Sequence, residues 1–428
     1  MQLKKLPIRS ALTLATCTLL GTGQSQADDD SDWNMDISSL YYAENERVTV
    51  NKLQSILSRD NGEGEKLDFS LVYDTMSGAS PNGRLYTGDS NTNSVSVTTA
   101  SGFAFDVSGG TSAQSGSQPW LTEFKDTRVA LNVDWSKPVM RNFTTHWGLS
   151  ASVENDYNSF GGNMSANIDM FQKRTTLTLG AGMNLDSVDP NGGIPEGLGR
   201  LECADSTPNI PNWIDCDAPV TRYEAGEKIV NDYLIGLTQV WNRYTLMQFN
   251  YAYGNITGYL TDPYKQVSVI DNTFDGEIAI LYEKRPDVRQ RQSVFWKMVR
   301  HRIRDVYRLS YRYFWDNWAV RAHTVDFRYR WELSPKHYLQ PHLRYSRQTA
   351  AGFFGTHLSS DDELPDYFSA DNRLGEQNTY TAGLKYGVKL GSNGEIGLRV
   401  EMLQQHYLNN PLPDMEVLVV QGSVSLNF

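Results

Sequence analysis

Residues 418–428 read Leu-Val-Val-Gln-Gly-Ser-Val-Ser-Leu-Asn-Phe. Leu418, Val420, Gly422, Val424, Leu426 and Phe428 fall on one side of a period of two. Val419, Gln421, Ser423, Ser425 and Asn427 fall on the other. Successive strand side chains point to opposite faces, so this is a strand with one small or apolar face and one mostly polar face. A soluble domain rarely stops on an aromatic residue in mid-pattern. The alternative is a sandwich strand that happens to end in Phe.

The ending resembles the C-terminal signal of bacterial outer-membrane β-barrels. There the last strand closes the barrel and the barrel-assembly machinery reads its aromatic end, here Phe428. The N-terminus points the same way. Lys4, Lys5 and Arg9 flank a short, mostly apolar stretch at 11–21, and Ser25-Gln26-Ala27 has the small-x-small form of a cleavage site. This is a secretory signal peptide over 1–27, too short to span a membrane. Cys17 raises lipoprotein processing, but Thr16 precedes it and the apolar stretch continues past it. Cleavage after Ala27 is expected, leaving 28–428 as one domain. The acidic run Asp28-Asp29-Asp30-Ser31-Asp32 is then a solvated charge run at its start.

No later stretch approaches the roughly 18 apolar residues of a transmembrane helix. The chain is hydrophilic on average yet 11% aromatic, with 23 Tyr and 10 Trp. A transmembrane barrel has this composition, because half of each strand faces a polar lumen while Tyr and Trp form interfacial girdles. Cys203 and Cys216 lie in a Pro/Asn/Asp-rich segment without a nearby His. In an exported chain this predicts a disulfide rather than a metal site.

Period-two runs recur at 33–42, 47–57, 67–73, 129–135, 147–153, 164–170, 177–183, 233–237, 247–253, 294–298, 307–313, 325–331, 339–345, 380–388 and 396–402, and the terminal strand makes sixteen. An all-β, antiparallel, sixteen-stranded transmembrane barrel is expected. Lys52 and Gln54 interrupt the first pair, so fourteen strands with an N-terminal extension is the alternative. Short connections at 137–138, 172–174, 242–243, 334–337 and 392–394 alternate with long ones at 77–126, 186–228, 255–290 and 349–377. Counted back from an inward-running last strand, every long connection falls outside, as outer-membrane barrels require.

Formal net charge is −11, yet residues 284–347 hold 16 Lys+Arg against 5 Asp+Glu. Here the outward set is apolar and the inward set is Arg308, Arg312, Asp326, Arg328, Arg330, His342 and Arg344, an arginine-rich wall. Guanidinium forks bind carboxylate and phosphate, and an arginine-lined pore favours anions. The structural alternative is that acidic loops pair with these arginines and hold a plug. The basic charges alternate with outward aromatics, which is not a nucleic-acid footprint.

Four connections carry denser motifs: Ser77-Gly78-Ala79-Ser80-Pro81-Asn82-Gly83, Gly258-Tyr259-Leu260-Thr261-Asp262-Pro263-Tyr264-Lys265, Arg285-Pro286-Asp287-x-Arg289-x-Arg291 and Ser369-Ala370-Asp371-Asn372-Arg373-Leu374. Together they resemble an uncharacterised family of bacterial outer-membrane barrels, catalogued as a domain of unknown function. The Gly-Tyr-Leu-Thr-Asp-Pro-Tyr-Lys and Arg-Pro-Asp-x-Arg-x-Arg elements are the most specific. The resemblance implies a barrel in the outer membrane, in contact with lipid and lipopolysaccharide, and brings no substrate. Physically, the motifs predict loop latches, Asp262 to Arg289 or Arg291 and Lys265 to Asp371, with substrate contact as the alternative role.

Catalysis needs a His with a carboxylate or Ser at a rim. His323 near Asp326 is the nearest local pair and matches no barrel-enzyme motif, so no enzyme and no catalytic residue is expected. Asp186, Asp189 and Asn191 offer calcium-type ligands at looser spacing than calcium loops use. No Walker or dinucleotide motif is present, so no cofactor is expected. The expected function is passage or binding of a small solute through a porin-like barrel, with an anionic solute as its finer form. A loop-plugged scaffold or docking platform is the rival, and a rim hydrolase the third reading. The solute and the oligomeric state are not legible.

Overall fold

The computed structural model describes residues 33–45, 47–86, 119–203, 211–217, 220–272, 276–391 and 394–428. The signal peptide, the acidic run at 28–32 and residues 87–118 of the first long connection lie outside the described residues.

Sixteen antiparallel strands form a closed barrel. They are β1 (Trp33–Glu44), β2 (Val48–Asp60), β3 (Lys66–Pro81), β4 (Leu121–Met140), β5 (Phe143–Val153), β6 (Tyr157–Met170), β7 (Thr175–Val188) and β8 (Gly226–Asn242). Then follow β9 (Thr245–Gly258), β10 (Val288–Arg302), β11 (Asp305–Asp316), β12 (Arg321–Glu332), β13 (His337–Gln348), β14 (Gln377–Lys389), β15 (Gly394–Tyr407) and β16 (Met415–Asn427). The terminal strand closes the ring. β16 pairs with β1 from Asn34 opposite Asn427 to Glu44 opposite Val417. Trp33 and Phe428 exchange backbone hydrogen bonds of 3.2 and 3.0 Å.

The alternation has the phase read from the sequence. Leu131, Leu149, Phe160, Leu179, Phe249, Leu343, Leu398 and Met402 point outward and are exposed. Trp135, Trp147, Trp241 and Trp331 lie outward toward the short-turn end, and Tyr73, Tyr233, Tyr345 and Tyr380 outward toward the loop end. This gives an apolar band between two aromatic belts.

All sixteen strands are present, the first pair included. Lys52 and Gln54 do not break the pattern of β2, because they take its inward positions while Leu53 is exposed outside. Val48 and Val50 also point inward, packed on Met76 and Phe124 at the loop end. The apolar residues of β2 thus change face along the strand. Lys137 and Pro138 belong to β4, so that turn lies at 141–142, four residues further on than the sequence pattern places it. The four long connections, 82–120, 189–225, 259–287 and 349–376, all leave the end of the barrel opposite Phe428.

Tyr338 on β13 faces Gly387 on β14 and is 1% exposed. Arg330 lies over the ring at 3.6 Å. A Cβ at Gly387 would fall 2.1 Å from Tyr338 Cε1 and Cζ. Gly387→Val therefore overpacks the wall by about 1–3 kcal/mol. The folded band of the barrel should convert to the unfolded band at a lower temperature in a gel-mobility series; an unchanged transition contradicts this packing.

Candidate functional site

The long connections fold into a cap with its own core. A four-stranded sheet runs in the order Leu358–Ser359, Gln266–Asp271, Gly276–Tyr282, Arg200–Cys203. Val267, Val269, Ile278 and Leu281 from this sheet pack with Ile214, Leu358 and Ala370. Cys203 and Cys216 form the expected disulfide, which joins the segment carrying Ile214 to the sheet.

Between cap and barrel lies a buried cluster of three acids and three bases: Asp262, Glu283, Asp371, Lys265, Arg285 and Arg373. Asp371 is its centre. It accepts from Arg285 Nη2 at 2.8 Å and from Arg373 Nε at 2.8 Å, and Lys265 Nζ lies 3.8 Å away. Arg373 also reaches Asp262 Oδ2 at 2.9 Å, and Arg285 Nε reaches Glu283 at 2.7 Å. Ser369 donates to Glu283, and Lys265 donates to the Pro81 carbonyl.

Local chemistry sets these positions. Asp371 caps the short 3-10 turn Asn372–Leu374 by accepting from Arg373 N. Asp262 accepts from Tyr264 N at 3.1 Å, so Asp262-Pro263-Tyr264-Lys265 forms a turn that brings Lys265 back beneath the cap. Gly258 begins this loop with φ +108°, where a Cβ would meet the Glu227 carbonyl at 2.2 Å.

Burial pushes the Asp371 carboxyl up, but Arg373, Lys265 and Arg285 outweigh it and hold the group well below the usual range. Asp262 is depressed for the same reason, burial being outweighed by Arg373. Burial pushes Glu283 up and Lys265 down.

The predicted latch of Lys265 to Asp371 is present; that of Asp262 to Arg289 or Arg291 is not. Asp262 is taken by Arg373 from the other loop. Arg289 pairs with Asp316 through Nε at 2.8 Å and lies 4.3 Å over the Trp318 ring. Arg291 reaches Asp232 at 3.2 Å. The strand register explains this choice. Gly254 of β9 stands between Arg291 of β10 and Asp232 of β8, and its missing side chain leaves the gap the pair crosses.

The other motif residues divide. Tyr259 lines the space under the cap, and Tyr264 donates to Asp156. Asp287 is exposed, and its carbonyl accepts from Gly258 N at 2.9 Å. Ser77 and Gly78 remain in the wall of β3, paired with Lys125 and Phe124. Asp186 is engaged by Ser159 at 2.7 Å and Lys228 at 3.1 Å, turned inward among its barrel neighbours.

The inward arginines form two groups. Toward the short turns, Arg328 pairs with Asp326 at 3.3 Å and Arg330 with Glu332 at 2.6 Å. His342 bridges Asp326 and Glu401, 2.8 Å from each, crossing β14 at Gly383. Arg308 stands opposite Arg328. His323 points outward, 2.7 Å from the Tyr311 hydroxyl, away from Asp326. Toward the loops, Arg312 and Arg344 enter a cavity of about 400 Å³ roofed by the latch. Seven basic side chains line it, Lys228, Arg285, Arg289, Arg291, Arg312, Arg344 and Arg373, against two carboxylates, Asp262 and Asp371. Among the described residues, no carboxylate lies within 4.0 Å of Arg344 or Arg308. Glu401, Asp316 and Asp232 were not singled out in the sequence, where isolated acids on strands show no spacing that names their partners.

A protein family described as "Protein of unknown function (DUF3570)" matches residues 9–425. The chain belongs to this family. No curated protein matches it in sequence. Among solved structures, it is similar to a bacterial polysaccharide outer membrane secretin, with TM-score 0.45, 9% identity and coverage of 94% of this chain and 100% of that one. It is also similar to a BenF-like porin from Pseudomonas fluorescens, with TM-score 0.42, 8% identity and coverage of 94% and 99%. CdiB from Acinetobacter baumannii gives TM-score 0.47 and 6% identity, with coverage of 92% and 60%. The closed barrel stands on the chain's own strand order.

Asp371→Ala leaves Arg285, Lys265 and Arg373 buried with too few partners, which costs about 3–5 kcal/mol for a broken buried pair. Trypsin should cut 259–287 and 349–376 faster in the folded variant than in the parent; equal rates contradict the latch. A depressed carboxylate contributes stability above its unfolded value of about 4, lost as pH falls through the folded value. Glu283, being raised, does not weaken the cap on acidification. Pepsin sensitivity of the cap should therefore not increase down to about pH 4 and should rise below it.

Proposed function

We propose that this protein is an outer-membrane channel for small anionic solutes, with a mouth narrowed by its latched cap. The observation that carries the reading is the cationic lining of the cavity under the latch: Lys228, Arg285, Arg289, Arg291 and Arg373 each pair with a carboxylate, while Arg344 has none within 4.0 Å among the described residues and Arg312 lines the same space. Arginines lining a pore favour anions, and guanidinium forks recognise carboxylate and phosphate oxygens. The exposed apolar band and its aromatic belts support a membrane location. The reading is non-enzymatic: His323 faces away from Asp326, and both nitrogens of His342 are held by carboxylates.

The density of the latch favours a second reading, a barrel closed by its own loops that serves as a scaffold. Planar-bilayer recording separates the two. Steady conductance with anion preference is expected, and Arg312→Glu with Arg344→Glu should move the reversal potential toward cations. A silent barrel supports the scaffold, and unchanged selectivity in the double variant sinks the arginine argument.

A further inference from the structure

We infer that the cavity beneath the latch selects a small carboxylate with an apolar body, an aromatic or short aliphatic acid. This rests on the anion-channel reading and names the class of solute. The cavity is cationic on only part of its surface. Val230, Ile256, Leu260, Val320, Ala322 and Leu374 line the rest, together with Phe314 and Trp318. Inorganic phosphate or a sugar acid gives up hydration against such a wall and gains no partner there. An apolar body gains from the same contact, roughly 25 cal/mol per Å² removed from water.

The charged part suits a single carboxylate. Arg344, with no carboxylate within 4.0 Å among the described residues, lines it with a planar fork that takes both oxygens of one carboxylate. Arg312 stacks over Phe314 at 5.7 Å and Arg289 over Trp318 at 4.3 Å, so cation and aromatic surface adjoin. The volume of about 400 Å³ lies toward the lower end of ligand cavities, which span about 300–1,000 Å³.

Equilibrium dialysis of radiolabelled benzoate against the full chain in detergent tests the inference, with unlabelled hexanoate, gluconate, phosphate and neutral benzamide as competitors. Hexanoate should compete well, and the other three at least about tenfold more weakly. Ala322→Asp adds a charge to the apolar wall, Arg344→Gln removes a fork, and each should weaken benzoate by about tenfold or more. The competitor series on the parent protein decides the matter even if a variant fails to fold. Gluconate or phosphate competing as well as hexanoate, in a barrel that remains anion-selective, overturns the solute class and leaves the channel standing. Benzamide competing as well as hexanoate overturns the role of the arginines here. No benzoate retention in a cation-selective pore removes both readings.

Discussion

Backbone pairing between the first and last strands is the constraint on which the rest depends. In hydrocarbon an unpaired N–H or C=O finds no water, so a spanning sheet must have no edge. The chain meets this by laying β16 against β1 along its length and tying Trp33 to Phe428. Closure defines an inside. Once it exists, every alternate side chain has a fixed assignment to lipid or lumen, and polar residues on sixteen strands face one another across a shared interior.

That interior is organised by charge pairing at fixed strand positions. Strand spacing separates residues that are two strands apart, and glycine in the middle strand removes the obstacle. Gly254 lets Arg291 meet Asp232, and Gly383 lets His342 meet Glu401. The His342 bridge, with the Arg328–Asp326 and Arg330–Glu332 pairs, neutralises much of the basic wall toward the short turns. Toward the loops the balance tips the other way, because carboxylates of the latch are themselves shared among Arg285, Arg373 and Lys265. The uneven distribution creates a positive cavity in a chain whose net charge is −11.

The latch links loop geometry to that cavity. Its six charged groups come in pairs from three separated stretches, and no stretch alone brings them together. The cap core of Val267, Val269, Ile278 and Leu281, together with the Cys203–Cys216 disulfide, holds these turns over the barrel mouth. Burial then makes the pairing obligatory, since an unmatched charge there is far more costly than a matched one.

Much of the architecture was legible in the sequence because a barrel is written in short-range terms. Period two, loop-length alternation and the aromatic terminus are each read within a few residues, and they gave sixteen strands, their phase and the end that carries the loops. The disulfide was legible from its compartment, and the inward set of arginines from alternation. The partner of each arginine was not, because partners are set by register across strands distant in sequence. Asp262 illustrates this: local spacing favours Arg289 or Arg291, while strand pairing commits both elsewhere and a second loop delivers Arg373. The sequence by itself determined a membrane barrel and the faces of its strands, since hydrocarbon and strand geometry act residue by residue. Only the tertiary structure decided which charges cancel and which line a cavity, because Coulomb pairing depends on distances that closure of the barrel and folding of the loops create.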